Sequence, residues 1–145
     1  MANVLPTLIS QYDKNNIFNG HEAGLFFKCL PNRTLAFKGQ KCFGGKNSKE
    51  RVTVMVGSNK SGPEKLKLLV IGKTKHPRCL KGTKSLEVDY EYNRKAWMTS
   101  EIYEKLLLKL DKQFAAQKRK VLLFVDNCPT HPKTVVGKLK NIKLE

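Results

Sequence analysis

Acidic side chains are scarce in this chain: 12 Asp and Glu stand against 28 Lys and Arg in 145 residues, a formal charge of +16. That imbalance points to a polyanionic partner, nucleic acid first, and weighs against an enzyme that handles no acidic substrate. Long apolar runs are missing too. No window approaches the roughly 20 apolar residues that span a bilayer, and Met1 to Ser10 has no basic region followed by an apolar run. The expectation is a chain neither secreted nor inserted in a membrane. Cysteine is sparse, and Cys29, Cys42, Cys79 and Cys128 lack the paired spacing that chelates zinc or flanks a redox turn. They are expected as free intracellular thiols, small and buried. No Pro- or Gly-rich linker, internal repeat or low-complexity segment divides the sequence, so one domain's worth of fold must carry everything.

What is present is the composition of a folded body, 40% hydrophobic and 8% aromatic, so the charge decorates a core and is not a disordered tail. Leu5, Leu8, Ile9 and Tyr12 are spaced for a short helix with Pro6 in its first turn. Ile17 and Phe18 begin an apolar strand expected to stop on His21, Glu22 and Gly24, with Leu25 to Phe27 resuming after the turn. Arg51 to Gly57 alternates around Val52, Val54 and Val56 and reads as a strand. The turn-rich Ser58 to Pro63 then leads into Lys65 to Ile71, which completes a hairpin. Thr99 can cap a helix whose apolar stripe is Tyr103, Leu106, Leu107, Leu110 and Phe114. Val121 to Val125, unbroken and too short for a helix, marks a strand covered on both faces, and it ends on Asp126. Open α/β sheets place their ligands at that end of a strand.

In series, PNRTLAFKG (31–39), KNSKERVTV (46–54), LVIGK (69–73), AWMTSE (96–101) and LLFVDNCPTHP (122–132) resemble the DDE transposase domain of the Tigger/pogo group, to which jerky and centromere protein B belong. The resemblance covers nearly the whole chain. It implies an α/β fold, a ribonuclease H-like mixed sheet with flanking helices, here truncated near its C-terminal strand. Residues 1–15 would form a short N-terminal helical segment and 16–145 a partial DDE domain. It also implies a nuclear location and, for the parental family, cutting and joining of DNA phosphodiesters with Mg²⁺, two cations roughly 4 Å apart held by three carboxylates.

Carried over position by position, the resemblance puts the family's first acid where this chain has His21, in Asn19-Gly20-His21-Glu22-Ala23-Gly24. The second matches Asp126, the surviving acid. The third would follow the strand that begins near Ile142, beyond the end of the sequence. An imidazole is a poor substitute for a carboxylate on Mg²⁺, and Glu22, on the other face of its strand, is expected to miss the site unless a bulge intervenes. The domain is therefore expected to be catalytically degenerate, with Asp126 a vestigial metal ligand and no cofactor bound. Two alternatives stay open: a nitrogen-rich transition-metal site from His21, Asp126 and His131, and an active nuclease completed by another chain or a longer form. A third reading is a domesticated interaction module or a remnant without activity.

Basic residues cluster at Lys73, Lys75, Arg78 and Lys81, at Lys118, Arg119 and Lys120, and at Lys133, Lys138, Lys140 and Lys143. They predict DNA binding through phosphates alone, independent of sequence, since the helix-turn-helix modules that read sequence in the family would lie before this segment. Trp97 is expected in the core. A last strand cut short would leave an open sheet edge and invite self-association.

Overall fold

The structure, a computed structural model, describes residues 4–28, 35, 37–39, 50–128 and 133–145. The described strands form one mixed sheet. In chain order they are β1 (Ile17–Leu25), β2 (Val52–Asn59), β3 (Leu69–Gly72), β4 (Asp89–Tyr92), β5 (Val121–Phe124) and β6 (Ile142–Leu144), and across the sheet they run β4-β3-β2-β1-β5-β6. β1, β2 and β3 are antiparallel neighbours, while β5 lies parallel to β1, β6 to β5 and β4 to β3. Helix α1 (Val4–Ser10) covers one face and α2 (Ser100–Ala116) the other.

Alternation along the strands sorts the core into two layers. On the α2 side Phe18, Met55, Ile71 and Leu123 meet Leu106, Leu107, Leu110 and Phe114; on the α1 side Leu8 packs against Ile17 and Leu122. Leu122 and Leu123 are both buried, as a strand covered on two faces requires. Thr99 caps α2, its hydroxyl accepting the backbone N–H of Ile102 at 3.3 Å. Lys67 and Lys109 pair with Asp89, and Lys105 with Glu91. Pairs as exposed as these contribute about 0.2–1 kcal/mol each, against roughly 1.5–3 kcal/mol for each large apolar side chain buried. Apolar packing therefore seats α2 and the ion pairs trim its position.

Several expectations need correction. β1 does not stop at His21. It runs nine residues to Leu25, because the ladder to β2 from Phe18↔Asn59 to Leu25↔Val52 satisfies its backbone whatever the side chains are. β3 begins only at Leu69, Lys65 making a single bridge to Ser58. β4 was not foreseen. Trp97 is half exposed rather than buried. Cys79 is exposed and Cys128 partly so, which removes the small-core reading for both, while Cys29 and Cys42 lie outside the described residues. The last strand, three residues long, does form the sheet's edge: β6 pairs with β5 along its length, and Val125 and Glu145 extend the ladder. β5 is thus flanked on both sides.

Candidate functional site

β1 and β5 run side by side at the middle of the sheet, in register from Ile17↔Leu122 to Asn19↔Phe124. Two residues beyond that last pair come His21 on one strand and Asp126 on the other, at the carboxyl end of the parallel pair, and both are exposed. His21 shares the α1 side with Ile17, whereas Glu22 faces the α2 side with Phe18. The pairing of β1 with β2 is unbroken through His21↔Val56 and Glu22↔Met55, so no bulge brings Glu22 to the face of His21. Asp126 lies beyond the last paired residue of β5 and is not bound by strand alternation.

The electrostatics show the consequence at Tyr103, buried in the first turn of α2. Burial pushes its hydroxyl up to about 12, and the charges of Glu22, Asp126 and Cys128 add to that effect. Two carboxylates and a thiol thus lie within electrostatic reach of one phenol. Glu22 and Asp126 thus share Tyr103 as a neighbour, although Glu22 and His21 face opposite ways and no bulge lies between them. Residue alternation gave the direction of Glu22 but not the path of the chain after Phe124.

Two Mg²⁺ ions need several anionic oxygens in a near-octahedral shell. No three His, Cys, Asp or Glu among the described residues are placed to share a metal ion. Among the described residues, therefore, no three-ligand set for a pair of hard cations is present. His131, the further nitrogen of the alternative metal site, lies outside the described residues, and His76 sits exposed in the β3–β4 connection, distant in sequence from either strand end.

The basic residues divide by their partners. Lys73, Lys75, Arg78 and Lys81 all project from the connection between β3 and β4, exposed and without a salt bridge among the described residues. Arg119 differs. Its guanidinium pairs with Glu64 at 2.7 Å, donates to Asn16 Oδ1 and the Asn15 carbonyl, and lies over the rings of Phe18 and Phe114. It joins the end of α2 to the entrance of β1 and the β2–β3 turn. Lys118 takes a positive φ of 55° as α2 ends, and the Lys120 ammonium donates to the Lys140 carbonyl. Lys138 pairs with Glu104, and Lys143 reaches Glu145 only at 3.9 Å. Lys133 opens the short turn Lys133–Lys138.

Residues 49–145, two thirds of the chain, match the family model described as DDE superfamily endonuclease. The chain belongs to the DDE superfamily endonuclease family. Within it, Tigger transposable element-derived protein 4 of Mus musculus is 53% identical over 142 residues, spanning 98% of this chain and 27% of the relative. CENP-B homolog protein 2 of Schizosaccharomyces pombe is 38% identical, over 86% of this chain and 24% of the relative. The chain thus spans about a quarter of the length of these DDE relatives. Among solved structures, the Mos1 transposase paired-end complex with left transposon end superposes with a TM-score of 0.55 at 16% identity, covering 98% of this chain and 39% of that one. The pre-cleavage Mos1 transpososome gives 0.54 at 15%, over 98% and 40%. Those likenesses establish the ribonuclease H-like fold, and the chain is a transposase-derived DDE-family domain. None of its described helices is long and apolar enough to cross a membrane.

Proposed function

We propose that this domain binds DNA through phosphate contacts, without sequence preference, and does not cut it. The observation that carries the reading is His21: it lies two residues beyond the last β1–β5 pair, as Asp126 does on the other strand, and it offers an imidazole where the family resemblance puts a carboxylate. A neutral nitrogen supplies neither the charge nor the hard oxygen that Mg²⁺ requires.

Binding is assigned to Lys73, Lys75, Arg78 and Lys81, which lie within nine residues of one exposed connection and carry no ion pair among the described residues. The +16 charge supplies long-range attraction to a polyanion. A structural neighbour holding a transposon end supports DNA as that polyanion, and a DNA-bound role implies a nuclear location. With about four phosphate contacts, the logarithm of the binding constant falls against the logarithm of salt with a slope of roughly −3 to −4. Arg119 is excluded from the contact set, since its donors are used inside the fold. Competition of labelled duplex with unrelated duplexes tests the reading: equal competition supports it, and a preference of about a hundredfold or more for one sequence would mean that a base-reading surface exists.

A further inference from the structure

The sequence 93–97 contains a turn that holds its tryptophan outward at a cost. Ala96 is buried and takes a φ of +54°, a conformation that L residues with a Cβ adopt only under constraint. Asn93 supplies the constraint: its Oδ1 accepts the backbone N–H groups of Lys95 and Trp97 at 3.1 and 3.2 Å, and its amide donates to the Trp97 carbonyl at 2.5 Å. Thr53 fixes the turn to β2 by donating to the Ala96 carbonyl at 2.6 Å. Trp97, flanked in sequence by the buried Ala96 and Met98, is left 50% exposed.

Cations surround the ring. The Arg51 guanidinium and the Lys95 ammonium each lie 5.2 Å from its centroid, and Arg51 also lies 5.9 Å from the centroid of Phe26, itself 48% exposed. Arg51 is half-buried and donates to Thr53 Oγ1 at 3.0 Å, so it is fixed, whereas Lys95 hangs from an exposed turn and can give way. The adjacent Glu50 carboxylate is paired with Lys28 and held below the usual carboxylate range by it. The patch is therefore two exposed aromatic rings bridged by an arginine, with a movable ammonium at its rim. Unpaired nucleotides offer the complementary surface, since every base has a face to stack and every nucleotide a phosphate. A duplex hides its base faces and does not.

We propose that the Trp97 turn is a stacking platform for unpaired bases, so that the domain holds single-stranded as well as duplex nucleic acid. This rests on the polyanion-binding reading above and adds the chemistry that phosphate contacts lack.

Trp97 is the only tryptophan in the chain, so its emission reports on the platform directly. Titration with oligo(dT) is expected to quench it, and Trp97→Ala is expected to weaken oligo(dT) binding about tenfold while duplex affinity stays within about twofold. Trp97→Phe, which keeps a ring, should retain most of the affinity and decides the matter where the alanine variant does not fold. Duplex binding with no quenching at saturating oligo(dT), or equal oligo(dT) affinity in wild type, Trp97→Ala and Trp97→Phe, would overturn this inference and leave the phosphate-contact reading intact. Absence of binding to either form would overturn both.

Discussion

Asp111 on α2 holds Asn141, the residue before β6, through both backbone and side chain. The Asn141 N–H donates to Oδ1 at 2.7 Å and its amide to Oδ2 at 3.2 Å, and the same carboxylate takes the N–H groups of Lys140 and Ile142. A buried carboxylate on the apolar face of a helix is costly unless it is satisfied this fully. Here it fixes the entry of the edge strand, and β6 in turn covers β5.

Asp111→Ala leaves several backbone N–H groups without their acceptor, a loss of about 2–3 kcal/mol. Thermal unfolding should show a clear drop in Tm, and amide exchange at Ile142 to Leu144 should accelerate more than exchange in β1. A uniform change across both strands would mean that Asp111 does not act on β6 in particular.

Burial alone would raise the Asp111 carboxyl, but the donated N–H groups of Asn141, Lys140 and Ile142 outweigh it and hold it below its ordinary value. Asp89 is likewise lowered, with Lys109 and Lys67 overcoming burial. Both groups bind protons more readily unfolded than folded. Their stabilisation is complete above the unfolded value of about 3.9 and is lost as pH falls through the lowered folded values. Urea midpoints should therefore be flat from neutral pH to about 5 and fall steeply below about 4. Asp111→Asn should reduce that acid-side fall, and an unchanged profile would count against the assignment.

Arg119→Lys is expected to cost about 1–2 kcal/mol of stability, because an ammonium cannot hold Glu64, Asn16 and the Asn15 carbonyl at once or lie flat over Phe18 and Phe114. Duplex affinity should stay the same. An Arg119→Lys protein of native Tm with weakened DNA binding would move Arg119 into the contact set.

Lys75→Ala and Arg78→Ala should each leave Tm unchanged, weaken binding to all duplexes alike and make the salt slope shallower by about one. Fluorescence anisotropy between low and physiological salt measures this. A variant that weakens binding to one sequence only would contradict a phosphate contact.

The parts of the fold visible in the sequence were those set by local pattern. The stripe Leu106, Leu107, Leu110 and Phe114 needs one face buried, and Val121 to Val125 leaves little choice but a central strand. Strand β4 is a short, charged segment whose weak alternation of Val88, Tyr90 and Tyr92 is masked by Asp89 and Glu91. It exists because its backbone pairs with β3 from Leu69↔Asp89 to Gly72↔Tyr92, a ladder that no local window contains, while Asp89 and Glu91 also meet lysines on α2 and in the β2–β3 connection. Trp97 was misplaced for a related reason: hydrophobicity alone sends it inward, while the turn held by Asn93 and the buried Ala96 sends it out. Asp111 had a weak signature, a carboxylate four residues after Leu107 and three before Phe114 within the buried stripe. At the site, His21 and Asp126 are identifiable as residues, but that both follow the last pair of β1 and β5 by two comes only from the register, and the role of Arg119 comes mainly from Glu64, Asn15, Asn16 and Phe18, more than fifty residues away.

The most direct test of the account is incubation of the purified chain with supercoiled plasmid and Mg²⁺ or Mn²⁺, beside Asp126→Ala. The account predicts that the plasmid stays supercoiled with either metal, to the same extent for both proteins. Metal-dependent nicking by the unmodified chain that disappears in Asp126→Ala would contradict it.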